Sequence, residues 1–431
     1  SLLTFTTANW ATPQVVTVTG VNDGLADGFQ AYSIVLAAAS SSDLNYNGLN
    51  PADVRLANSD DDITYGLITV DTTADTSDGD TSSLAALAAN RGTDGSISLR
   101  EAMFAANNTA NGGTPDQIRF SIPDALVGGA HPIIVGTALP TISDAVNIDG
   151  TTEPDFAGNG NRPIVVLDGN GLASDGLILN GSADGSTIRG LVIRDFGTTT
   201  DHDGIEIQLG SNGNTIAGNY IGQLSAAGAD AGAGEANTGH GILVLGANNT
   251  IGGTSASDRN VVAGNTLSGV YLTGASATGN VVSGNYLGTN AAGTSAIANG
   301  WDGVSIDDGA ANNTIGGTMV GARNVISGNA GRGIWMDTTS GNLIQGNYIG
   351  TNAAGAVAVA NGQEGIYASA SSNNTIGGTS AVELNVISGN ANDGITIVGT
   401  GSTNNVIRGN YIGTTAAGNV ALGNGGENIT L

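Results

Sequence analysis

Short stretches in which apolar and polar residues alternate fill most of this chain, and they return at a nearly constant interval. A Gly followed by an apolar–x–apolar triplet occurs at Gly176, Gly204, Gly241, Gly269, Gly303, Gly333, Gly365 and Gly394, with successive spacings of 28, 37, 28, 34, 30, 32 and 29 residues. A longer phrase, NTIAGNYIG at Asn214, returns at Asn280, Asn342 and Asn405, 66, 62 and 63 residues apart. The repeat is therefore two turns of about 31 residues each. Period-two alternation is the mark of a strand with one buried face. The connections are rich in Gly, Asn, Ser and Thr and carry no helical period. Short strands at one turn length, without crossover helices, predict an all-β right-handed parallel β-helix. A propeller would need four antiparallel strands in each blade, usually with aromatic signatures. Equivalent positions should then stack one coil apart, about 4.8 Å. The inward stack should hold Ile205/Ile207, Ile242/Val244, Val270/Leu272, Val304/Ile306, Ile334/Met336, Ile366/Ala368 and Ile395/Ile397. The Asn of each Gly-Asn pair (Asn219, Asn265, Asn285, Asn329, Asn347, Asn390, Asn410) falls at a strand end. Asn tolerates turn backbone and can bond to its neighbour one coil away, so an internal Asn ladder is expected.

The chain divides into three regions: 1–63, 64–150 and 151–431. In 64–150, LITVD, IRFSI, IIV and VNIDG read as strands, and DGSISLREAMFAANNT is the one credible helix. Ser98 and Glu101 form a capping box, and Leu99, Met103, Phe104 and Ala106 are the expected apolar face. Such a helix would cover the exposed core at the end of a solenoid. Residues 1–63 read as about three alternating strands closing on an acidic run.

ITVDTTADT followed by SISLREAMFAAN resembles the CSLREA domain of large bacterial surface and secreted proteins. There it precedes β-helix repeats of the NNTIGGT, RNVISGN and GNYIGT type, which this chain also carries. The Cys of that motif is Ile97 here, so a disulfide at that position is impossible. The resemblance implies a secreted or cell-surface β-helix with no agreed catalytic activity. Residues 1–63 resemble the second half of a Calx-β-like sandwich, which implies Ca²⁺ held by acidic loops. Asp23, Asp27, Asp60, Asp61 and Asp62 are the candidate ligands, with Asp75, Asp78 and Asp80 a weaker second set.

Composition narrows the partners. The 431 residues include 70 Gly, carry 37 acidic against 11 basic side chains, and have a net charge of −26. All the basic residues are Arg. A chain this acidic is a poor match for a phosphate backbone, whereas clustered carboxylates suit Ca²⁺. No run of 18 apolar residues exists, so membrane insertion is not expected. Absence of Cys removes disulfides and thiolate chemistry.

Aligning the Gly-led strands places three columns on the outer surface. Across three adjacent coils they bring together Asp302, Asp307, Arg332, Trp335, Asp337, Glu364 and Tyr367. Asp307 and Asp337 would lie about one strand spacing apart, near 5 Å, which suits a retaining carboxylate pair. Aromatic rings beside carboxylates suit sugar recognition, and Tyr271 joins Trp335 and Tyr367 in the same column. Three readings stay open. One is a structural or adhesive module of a large extracellular protein, associating end to end with copies of itself or with further domains of a longer chain. The second is a glycoside hydrolase or lyase using Asp307 and Asp337, with Asp302, Arg332, Trp335, Glu364, Tyr367 and Tyr271 binding polysaccharide. The third is a carbohydrate-binding module without turnover.

Overall fold

The computed structural model describes residues 3–6, 8–9, 11–13, 15–16, 30–58, 66–199 and 201–431. The chain separates into two units, Ser1–Tyr65 and Gly66–Leu431. In the first, Gln30–Ile34 pairs antiparallel with Val54–Asn58, Gln30 opposite Asn58. The five candidate calcium ligands, Asp23, Asp27, Asp60, Asp61 and Asp62, lie outside the described residues.

The second unit is a parallel β-helix. Among the described residues its strands form three sheets of 11, 10 and 9 strands. The first face runs from Leu67–Val70 to Val406–Arg408, the second from His131–Ile134 to Tyr411–Ile412, and the third from Leu177–Leu179 to Ile429–Thr430. One coil shows the path: Thr187–Arg189 on the first face, Leu191–Phe196 on the second, Ile205–Ile207 on the third. Strands of two to four residues suffice because, away from the sheet edges, each is flanked on both sides by its equivalents in neighbouring coils. On the third face Ile205 pairs with Ile242, Ile242 with Val270, Val270 with Val304, Val304 with Ile334 and Ile334 with Ile366. These β-branched side chains suit a pleated, half-buried surface, and they fill one continuous core.

The Gly before each third-face strand is required by close approach. A Cβ on Gly303 would meet Ile326 Cγ2, the Asn329 side-chain nitrogen and the Gly333 carbonyl oxygen. The coil has no room for it.

The expected Asn ladder resolves into three. One runs Asn214, Asn249, Asn280, Asn313, Asn342, Asn374, Asn405. A second runs Asn219, Asn260, Asn285, Asn324, Asn347, Asn385, Asn410. The third runs Asn237, Asn265, Asn299, Asn329, Asn361, Asn390, Asn424. The Gly-Asn residues that look like one column in the sequence thus alternate between the second and third ladders. In each step a side-chain amide donates to the next coil's Asn Oδ1, so a polar corner is satisfied without water.

Among the described residues two α-helices, not one, lie between the first two strands of the first face, Leu67–Val70 and Asp116–Phe120: α1 (Leu84–Ala89) and α2 (Leu99–Asn107). The Ala-rich six residues of α1 are too few to show a helical period, and Ser83 caps them by accepting from Ala86 N. The α2 capping box is present: Ser98 Oγ accepts from Glu101 N, and Glu101 Oε2 accepts from Ser98 N. Leu99, Met103 and Ala106 join the core as expected, but Phe104 is 39% exposed. Ala102 and Ala105 take the inner face beside Met103.

The weaker calcium set is consumed by structure. Asp75 pairs with Arg100 through Oδ1 and Oδ2 at 2.9 and 2.8 Å, and Asp78 accepts Thr93 N at 2.7 Å. Asp80 accepts Ser82 N at 3.1 Å. These carboxylates hold the segment 75–101 in place. No helix of the described residues is long and apolar enough to cross a membrane.

Candidate functional site

The outer surface of the third face carries the sequence-predicted residues. Its middle column reads Ile178, Glu206, Leu243, Tyr271, Ser305, Trp335, Tyr367 and Thr396, each in register with the next. The alternation that sends Ile205 and Ile207 inward turns this column outward.

The column before the Gly does structural work. Asp203 N donates to Asp175 Oδ1 at 2.7 Å, His240 N to Asp203 Oδ1 at 2.6 Å, and Arg332 N to Asp302 Oδ1 at 2.7 Å. Each carboxylate clips the following coil at the point where its strand begins. Asp302, expected to bind substrate, is buried and also accepts from Ser305 Oγ at 3.1 Å. Burial raises the Asp302 carboxyl above the ordinary range despite these bonds.

Asp307 and Asp337 close the adjacent strands Val304–Asp307 and Ile334–Asp337. They are not two open carboxylates. Asp307 is buried, and its Oδ2 accepts the Tyr271 hydroxyl at 2.7 Å, while Asp337 Oδ2 accepts from Thr338 Oγ1 at 3.3 Å. Glu364 is likewise engaged, pairing with Arg332 Nε at 3.1 Å, and the Arg332 guanidinium lies 4.5 Å from the Tyr367 ring centre. The Arg is thus neutralised and stacked rather than free to meet an anionic sugar.

Two residues absent from the expected set complete the surface. His240 stacks on Tyr271 at 4.4 Å between ring centres and meets the edge of Trp301 at 6.1 Å. Burial lowers the His240 imidazole to about 4, so it is neutral at pH 7. Its Nδ1 accepts from Ser268 N at 3.2 Å, which leaves Nε2 as the donor. Burial, with a smaller contribution from Asp307, pushes the Tyr271 hydroxyl up to about 12. Trp301 is 54% exposed. It sits in the turn ahead of the strand, where the alternation used to assign outward positions does not reach. Trp301, Asp302, Arg332, Trp335 and Gln363 line a shallow pocket of about 310 Å³.

One or two coils earlier lies an acidic group. Burial, then the nearby Asp175, Glu206 and Asp201, raises Asp203 to about 8. Burial also raises Asp175 and Glu206. These carboxyls sit on the same face as His240 but bond to backbone or to Gln208, as Glu206 Oε2 does at 3.2 Å.

No family model matches the chain, and no curated protein matches it. Solved structures do. A point mutant of the periplasmic alginate epimerase AlgG is 17% identical, with 68% of this chain and 60% of that chain covered and a TM-score of 0.40. This chain thus spans less than two thirds of that relative. The A-module of the Azotobacter vinelandii mannuronan C-5 epimerase AlgE6 is 19% identical over 71% of each chain, with a TM-score of 0.45. PfbA, a surface adhesin of Streptococcus pneumoniae, is 12% identical over 77% of this chain and 88% of its own, with a TM-score of 0.22.

Proposed function

We propose that the third face is a glycan-binding surface, and that the chain is a β-helical recognition module of a secreted or cell-surface protein. The observation that carries this reading is that Trp301 and Trp335 line one shallow pocket with Gln363, while Tyr271 and Tyr367 continue the Trp335 column along the same face and His240 packs beneath Tyr271 and Trp301. Aromatic planes pack against sugar C–H faces, and the Gln363 side-chain amide at the pocket offers a donor and an acceptor to hydroxyls. A coil repeat near 4.8 Å lets one polymer chain lie along several coils. The net charge of −26, with Arg332 already paired, favours neutral glycans over polyuronates. Engagement of Asp302, Asp307 and Glu364 in internal bonds supports binding over hydrolysis or elimination, since both reactions need a free acid–base pair. The resemblance of the sequence to surface proteins supports the extracellular placement.

The test is affinity electrophoresis and tryptophan-fluorescence titration against a panel of neutral and anionic polysaccharides, with reducing ends and unsaturated products assayed in parallel. Binding to a neutral glycan that is lost in Trp301→Ala and Trp335→Ala, without product, supports the module. Product formation abolished by Asp307→Asn would replace it with an enzyme, and no binding across the panel would sink it.

A further inference from the structure

Remote from the aromatic face, the first strand of the second face begins at His131, which pairs with Val165 of the neighbouring strand. Its side chain is 1% exposed, and neither ring nitrogen makes a hydrogen bond within the protein. A buried imidazole without partners costs free energy that something must offset. Facing it are two carboxylates from one short turn. Glu153 is also 1% exposed and lies before the 3₁₀ turn Pro154–Phe156, which supplies Asp155. Glu153 Oε2 accepts from Ile122 N at 2.9 Å, which fixes the carboxylate and turns Oε1 toward the imidazole.

The distances define the chemistry. His131 Nε2 is 3.7 Å from Glu153 Oε1 and 3.6 Å from Asp155 Oδ2, beyond hydrogen-bond length. One ligand atom from each of the three residues lies within 4.8 Å of the other two. Ligand atoms about 2.0–2.2 Å from a tetrahedral Zn²⁺ stand roughly 3.3–3.6 Å from one another. The gap is thus too wide for hydrogen bonds and suited to an ion between the groups. The Asp155 side chain is 56% exposed, so one side of the cluster opens to solvent and can admit the ion and a water ligand.

We propose that His131, Glu153 and Asp155 form a mononuclear site for a divalent transition metal of the Zn²⁺ class, with a water-accessible fourth position. An imidazole in the set selects against Ca²⁺ and Mg²⁺, which take oxygen ligands. The metal would tie the loop after the first-face strand Val146–Asp149 to the edge strand of the second face. It does not depend on the glycan reading, because no residue is shared.

The experiment uses the full chain, stripped with chelator and then titrated with Zn²⁺ alone in excess Ca²⁺, which masks surface carboxylates. One tight equivalent is expected by calorimetry and elemental analysis, with a rise in melting temperature. Co²⁺ in its place should give visible d–d bands of a four- or five-coordinate site. Asp155→Asn, at a solvent-open position that does not endanger folding, should weaken Zn²⁺ by at least about ten-fold. His131→Gln should abolish uptake. Absence of a stoichiometric equivalent, or unchanged affinity and Co²⁺ spectrum in Asp155→Asn, overturns the site.

Discussion

Tyr271 donates its hydroxyl to Asp307 Oδ2 at 2.7 Å, reaching from one coil to the next and two positions further along the strand. Asp307 Oδ1 is buried without a partner, so this bond is the carboxylate's one side-chain tie. Tyr271→Phe keeps the ring against His240 but strips that tie. Stability should fall by about 1–3 kcal/mol, the cost of leaving a buried acceptor unmet, measured by denaturant unfolding. No change would show that water serves Asp307 equally well.

The third Asn ladder should be cooperative across coils. Asn265 N and Nδ2 both donate to Asn299 Oδ1, and Asn299 Nδ2 donates to Val262 O and Asn329 Oδ1. Asn299→Ala orphans groups on both sides, with an expected loss of about 3–5 kcal/mol. Hydrogen exchange should show the opening centred on residues 262–329; a uniform loss of protection along the chain would argue against local coupling.

Helix α2 distinguishes two neighbouring positions. Met103 is 2% exposed within the core cluster and Phe104 is 39% exposed. Met103→Asp should cost about 3–5 kcal/mol by burying an unpaired charge, and Phe104→Asp about 1 kcal/mol. Equal effects in thermal melts would mean that both side chains contribute to the same buried surface.

Asp203 imposes a pH dependence. Its folded-state value of about 8 lies above that of an unfolded Asp, so its contribution is fully present below about pH 4 and lost as pH rises to about 8. His240 runs oppositely: with a folded value of about 4 against 6.5, its contribution is present above pH 6.5 and lost as pH falls to 4. The two slopes oppose each other between pH 4 and 6.5, and above that the His240 slope is gone while that of Asp203 persists. Asp203→Asn retains an acceptor for His240 N. Relative to the variant, the parent protein should lose up to about 5 kcal/mol between pH 4 and 8. Parallel stability–pH curves would show that Asp203 ionises freely in the folded state.

The repeat, its two-turn unit, the inward Ile and Val stack and the capping box at Ser98 were all legible from the chain. Each is a local pattern, set by strand alternation or by a three-residue cap, and repetition multiplies the signal. Which Asn belongs to which ladder was not legible. Asn219 and Asn265 follow the same Gly-Asn phrase, yet they stand at different corners because coil length decides where a phrase lands. The burial of Phe104 was misread for a related reason: a helical face is chosen by what it packs against, and here Ala102 and Ala105 approach the core more closely than a bulky ring can. The surface residues show the widest gap. Composition and columns brought Asp302, Asp307, Arg332 and Glu364 to one face, but only tertiary contacts reveal that their charges are spent on neighbouring coils. His240 stands in the column before the Gly, but its contact with Tyr271 and Trp301 is a packing result; Trp301 and the His131–Glu153–Asp155 cluster come together through turns and sheet edges, where no period in the sequence records proximity.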